Sequence, residues 1–152
     1  MPKSPIAYID LSFFAHATED PDKVMKAVQN VVSTDIAEKI SFKKSKLKGD
    51  HGNLIIFYKT RIDEEKITEP LLHQISSQLS AQDKQMLLEE LDRHIEKGSL
   101  YMRLDKQSAF KGNLGLCLAD PIHIRIRFKK GKNEDIIKIC TDAKLLPEPC
   151  KP

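Results

Sequence analysis

Hydrophobic and polar positions alternate with two different periods along the chain, and each period marks a kind of element. Residues 6–15 (IAYIDLSFFA) alternate with period two, placing Ala7, Ile9, Leu11 and Phe13 on one face of a strand. Asp20-Pro21 then opens a helix, with Asp20 suited to cap the free amides and Pro21 to the first helical position. Val24, Ala27, Val28 and Val31 follow at helical spacing. Residues 39–48 read as a strand with Ile40 and Phe42 on one side, and residues 53–62 (NLIIFYKTRI) as a second, more apolar strand. The intervening Gly49-Asp50-His51-Gly52-Asn53 predicts a hairpin connection whose glycines serve positive φ or a close approach.

Residues 63–97 read as helical. Ile67, Leu71, Leu72 and Ile75 form one stripe, and Leu87, Leu88, Leu91 and Ile95 form another. Ser80 is placed to cap the second helix, which predicts a break near residues 79–81, and Gly98 stands where a C-terminal cap belongs. A second hairpin follows. Leu100, Met102 and Leu104 alternate with Tyr101, Arg103 and Asp105, and residues 121–130 (PIHIRIRFKK) give the cleanest period-two pattern in the chain. Its Ile122, Ile124, Ile126 and Phe128 face one way, and His123, Arg125, Arg127 and Lys129 the other. Asn133 is placed to cap a last helix through about Leu146. The predicted order is β-α-β-β-α-α-β-β-α, an α+β fold whose antiparallel sheet is two hairpins plus the N-terminal strand, with helices on one face. The expected organisation is one domain over residues 1–146 and a short loose tail, PEPCKP, over 147–152.

Charge changes this picture more than composition does. The net charge is only +3, but residues 39–61 hold seven Lys/Arg against Asp50 alone. Residues 100–132 hold eight Lys/Arg against Asp105 and Asp120, so the remainder of the chain is strongly acidic. Such an asymmetry predicts one basic and one acidic face. A single charge run reads equally well as a solvated strand face; two runs on adjacent hairpins favour a polyanion surface. Arg125 and Arg127 cannot both be buried without partners, and Tyr101 and Arg103 can share their face. Guanidinium planes and a ring can stack on bases and bind phosphates, of RNA or DNA alike. Arg103, Lys106, Gln107, Arg125, Arg127 and Lys129 are the candidate contacts, and Lys43 and Lys44 extend them.

Catalytic patterns are weak by comparison. There is no glycine-rich phosphate loop, no G-x-S-x-G, no H-E-x-x-H and no paired Cys/His ligand set, so no cofactor or metal is expected. His73 and His94 read as surface or boundary residues. His16 and Glu19 could form an acid/base pair, but Thr18 and Asp20 explain the segment as capping, and Asp105-Lys106-Gln107 reads as a salt-bridged turn at a strand end. The three cysteines, Cys117, Cys140 and Cys150, are widely spaced and odd in number, which fits reduced thiols and a cytoplasmic setting. No apolar run reaches the length of a membrane helix, and no signal peptide is read at the N-terminus.

Several segments resemble a family of small, mostly archaeal RNA-binding proteins described as predicted exosome-associated subunits. They are HATED at 16–20, GDHGN at 49–53, LYMRLDKQSAFKGNLGL at 100–116 and IHIRIRFKK at 122–130 with the trailing helix. The LDKQ-A segment with the following Gly-x-Leu is the most specific. The family in turn resembles the fold of the large-subunit ribosomal protein that contacts 5S RNA. The resemblance implies an α+β fold, RNA as partner, a link to RNA processing or degradation, and no catalytic residues. The open alternatives are an RNA phosphoesterase using His16, His51 and Lys106, or an adaptor whose basic face meets an acidic protein.

Overall fold

The computed structural model describes residues 5–49, 52–111, 114–116, 121–129 and 132–147. Six strands form one sheet among them: β1 (Ile6–Ala15), β2 (Lys43–Lys48), β3 (Leu54–Ile62), β4 (Ile95–Glu96), β5 (Ser99–Leu104) and β6 (Ile122–Phe128). Their spatial order is β2-β3-β1-β6-β5-β4, every neighbouring pair antiparallel. The N-terminal strand is thus the centre of the sheet, flanked by one strand from each hairpin.

One face of the sheet is the core. Ile9, Leu11 and Phe13 of β1, Leu100, Met102 and Leu104 of β5, and Ile122, Ile124, Ile126 and Phe128 of β6 are all buried. They pack against the apolar stripes of α1 (Pro21–Val32), α3 (Glu65–Gln78) and α7 (Asn133–Asp142). This is the buried side expected for β6, where a one-residue slip would expose all four apolar side chains. In β1 the expectation shifts at one point. Ile6 pairs with Phe128 and Tyr8 with Arg127, so Ala7 is an extra residue. The bulge puts Ile6, not Ala7, into the core and aims Tyr8 outward.

The predicted caps are in place on two helices. The Asp20 carboxylate accepts from the Asp22 amide at 3.0 Å, with Pro21 first in α1, and Ser80 Oγ accepts from the Asp83 amide at 3.1 Å to open α4 (Ala81–Glu89). Other boundaries differ from the sequence reading. Asn133 is the first residue of α7 rather than its cap, and Lys132 precedes it. α7 stops at Asp142 instead of Leu146. Lys144 takes φ 64°, and the Leu145 amide reaches back to the Cys140 carbonyl at 2.9 Å, a Schellman closure that turns Leu145 and Leu146 into the core. Burial pushes the Cys140 thiol up to about 12, which keeps it protonated and inert. Cys117 and Cys150 lie outside the described residues.

Gly98 caps no helix. After the short α5 (Leu91–His94), Ile95 enters β4, and Lys97 (φ 49°) with Gly98 (φ 83°) makes a two-residue hairpin turn into β5. Two successive positive φ angles are what such a turn demands. β2 begins at Lys43, not residue 39, because the short α2 (Thr34–Ala37) and turn bonds from Lys39 to Ile36 and from Ile40 to Ala37 bend the chain first. Ile40 and Phe42 still pack on the core, Phe42 edge-on to Phe13 at 5.5 Å. Of the hairpin loop, residues 50 and 51 lie outside the description, but the glycines behave as anticipated. Gly52 has φ 75°, and a Cβ on Gly49 would stand 3.2 Å from Ile55 Cδ1.

Candidate nucleic-acid interface

The other face of the sheet carries the chemistry, and the strand register arranges it in rows. Across one row stand Arg61 of β3, Asp10 of β1, Arg125 of β6 and Tyr101 of β5. The next row holds Lys43, Lys59, Ser12, His123 and Arg103, one from each of five strands. On the opposite side of the first row lie Tyr8, Arg127 and Ser99. Five strands at ~4.8 Å spacing make a surface about 19 Å across.

Rings and guanidinium groups alternate here. The Arg61 guanidinium lies 4.0 Å from the Tyr8 centroid, and Arg125 lies 5.7 Å from Tyr8 and 5.6 Å from Tyr101. Each contact fixes a cation by the ring quadrupole while leaving its plane available for stacking. Arg125 also donates from Nε to Ser99 Oγ at 3.1 Å, and Arg127 donates to the Lys97 carbonyl. Arg61 forms a two-pronged pair with Asp10 at 2.8 and 3.1 Å, and those hydrogen bonds hold its pKa above the ordinary arginine value. Asp10 is buried beneath the exposed Arg61, and its carboxylate stands among Lys43, Lys59, Arg61, Arg103, Arg125 and Arg127 on the face. A further aromatic cluster, Phe14 against Phe57 at 4.8 Å and against His16 at 6.3 Å, continues the surface towards the β2–β3 hairpin.

The structure brings Arg103, Arg125 and Arg127 together and adds Lys43. Lys129 is exposed just beyond the end of β6. Lys44 alternates to the helix side, its Nζ 5.7 Å from the Tyr58 ring. Lys106 is not on the face. It begins α6 (Lys106–Phe110), is only 7% exposed, and its Nζ donates to the Phe14 carbonyl at 2.5 Å and pairs with Glu19 at 3.3 Å. Asp105 does not pair with Lys106 in a turn; it caps α6, accepting from Ser108 Oγ at 2.7 Å and Ser108 N at 3.3 Å. Gln107 is exposed, beside Thr18 and Glu19 in a cleft between α1 and α6. β5 and β6 are therefore not a tight hairpin, since α6 is inserted between them.

Tyr8, Lys59 and Arg61 were absent from the candidates, though alternation carried the signal. Once Ile9, Leu11 and Phe13 face inward, Asp10 and Ser12 must face outward, and Tyr58, Thr60 and Ile62 inward leaves Lys59 and Arg61 outside. The His16–Glu19 segment closes on itself. Glu19 Oε1 accepts from the His16 amide at 3.0 Å, stands 3.9 Å from His16 Nε2, and also meets Lys106. His51 lies outside the described residues. No helix among the described residues is long and apolar enough to cross a membrane.

A sheet packed by helices on one side and lined with cations and rings on the other is the architecture of a sheet-surface nucleic-acid binder. The comparisons add RNA as the ligand of the family. A family model described as RNA binding matches residues 8–128, and the chain belongs to that family. RNA-binding protein PAB1135 of Pyrococcus abyssi is 32% identical over 135 residues, which span 86% of this chain and 88% of that protein. Among solved structures, protein AF2318 from Archaeglobus fulgidus matches 91% of this chain and 99% of its own at 25% identity and a TM-score of 0.76. Mth689 from Methanothermobacter thermautotrophicus, a DUF54 protein, matches 93% and 98% at 25% identity and a TM-score of 0.71.

Proposed function

We propose that this chain is a non-catalytic RNA-binding protein of the cytoplasm that grips RNA on the open face of its sheet and serves RNA processing or degradation in association with the exosome. Residues 1–146 act as the binding unit and 147–152 as its tail. One observation carries the reading: Arg61, Tyr8, Arg125 and Tyr101 form a continuous cation–ring row across four strands in a chain of an RNA-binding family. Tyr8, Tyr101 and the Arg61 plane receive unstacked bases, Arg103, Arg125 and Arg127 meet phosphates, and Lys43 and Lys59 add longer-range attraction. The phosphoesterase alternative is disfavoured because Lys106 and Glu19 are spent on each other and on main-chain groups.

Crosslinking in cell extract tests this directly. RNA-linked peptides should come from β1, β5 and β6. Crosslinks confined to the helix layer would refute the face. Recovery of exosome subunits that survives nuclease would point to direct protein contact, and cleavage of labelled RNA by the pure protein would reinstate an enzyme.

A further inference from the structure

Beside the cation–ring row, a groove of about 290 Å³ opens between β5 and the α4–α5 segment. It exists because β4 is only two residues long and pairs only Ser99 and Leu100, and Leu116 bridges Leu104, so the middle of the β5 edge, residues 101–103, has no strand beside it among the described residues. α5 covers that edge, and His94 Nδ1 meets the Tyr101 carbonyl at 2.9 Å. A carbonyl only accepts, so Nδ1 carries a proton, and Nε2 is left facing the Glu90 carboxylate. Met86, Glu90, Arg93, Tyr101, Arg103 and Leu116 complete the lining.

Two features mark it as more than a surface dent. Tyr101 belongs both to the groove and to the row, its ring 5.6 Å from Arg125, so a strand lying on the face runs straight into it. The Glu90 carboxylate is also uncommitted by hydrogen-bond criteria: His94 Nε2 stands 3.8 Å away and Arg93 Nη1 3.9 Å. Neither occupies the carboxylate's acceptor positions at hydrogen-bond range. The exposed Met86 supplies an apolar, polarizable wall.

We propose that this groove is a base-specific pocket for one unpaired guanine of the bound RNA. The inference rests on the RNA-binding reading above and adds a sequence preference to it. The two oxygens of the Glu90 carboxylate are a pair of adjacent acceptors. Guanine presents two adjacent donors on its Watson–Crick edge, N1–H and the N2 amino group. Adenine and cytosine place a lone pair beside their single amino donor, and uracil flanks its N3–H with two carbonyls, so each sets a lone pair against Glu90. The guanine ring stacks on Tyr101, and Arg103 or Arg93 can fork to O6 and N7, the edge that arginine favours.

The test uses the full chain and labelled octanucleotides: oligo-U, and oligo-U with one central G, A or C. The wild type should bind the G-containing octamer about tenfold more tightly than oligo-U, the discrimination of one bidentate pair. A or C should give no such gain. Glu90→Gln, an exposed and nearly isosteric change, should abolish the ratio while leaving oligo-U bound at least as tightly. Equal wild-type affinity for all four octamers would overturn the pocket and leave the RNA face standing. So would a G preference that survives Glu90→Gln. Failure to bind any octamer would overturn both readings together.

Discussion

β6 and β2 are both short basic strands, yet the fold treats them in opposite ways. β6 lies between β1 and β5. Its apolar positions are buried, and its arginines are pinned by Tyr8, Tyr101, Ser99 and Lys97. β2 is an edge strand with one neighbour, exposed at all six positions, and its four lysines fall on both faces. Lysines along an edge prevent another chain from pairing with it. A run of positive charge therefore does not define a site. Neighbouring strands that fix the charges do, and they also set geometry, so β6 can read a ligand's shape where β2 adds only long-range attraction.

The largest effect should come from the buried side of β6. Ile124→Ala should cost about 2–5 kcal/mol, whereas Leu47→Ala on β2, 45% exposed, should stay within about 0.5 kcal/mol. Denaturant titrations of both variants check this, and equal losses would erase the contrast. Lys106 represents a third fate for a cation, drawn inside altogether. Lys106→Ala should destabilise by about 1–3 kcal/mol, because the Phe14 carbonyl loses its buried donor, without changing the salt dependence of RNA binding. A variant that is fully stable but binds weakly would return Lys106 to the interface. The smallest effect separates the β2–β3 loop from the strand. Gly52→Val forces a branched side chain to φ 75° and should cost about 1–2 kcal/mol, while Ser45→Val on exposed β2 should cost nothing measurable. Thermal unfolding of the pair gives the answer.

The parts of the molecule governed by period and local capping were legible in the chain. The inward face of β6, the stripes of α1 and α3, and the caps Asp20 and Ser80 all follow from near neighbours in sequence. The parts set by distant contacts were not. The bulge at Ala7 depends on pairing with residues 127 and 128. The placement of Lys106 depends on Phe14 and Glu19, about ninety residues away. Gly98 showed that a glycine was needed but not for which turn, since a helix cap and a hairpin both call for positive φ. The site divides in the same way. Arg125 and Arg127 announced themselves on one strand, but Arg61 and Tyr8 joined them only through the order β3-β1-β6, which no local pattern encodes.

The salt dependence of RNA affinity tests the central claim most directly. With Arg103, Arg125 and Arg127 each engaging a phosphate, the log–log slope for a mixed-sequence single strand should be about −2, at roughly 0.7 per contact. Replacing Arg125 and Arg127 together by alanine should weaken binding and flatten the slope to about −0.7, and replacing Lys46 and Lys48 of β2 should leave it near −2. If the folded double-arginine variant keeps the wild-type affinity and slope, or the β2 variant loses more, the open face of β6 is not where this protein holds RNA.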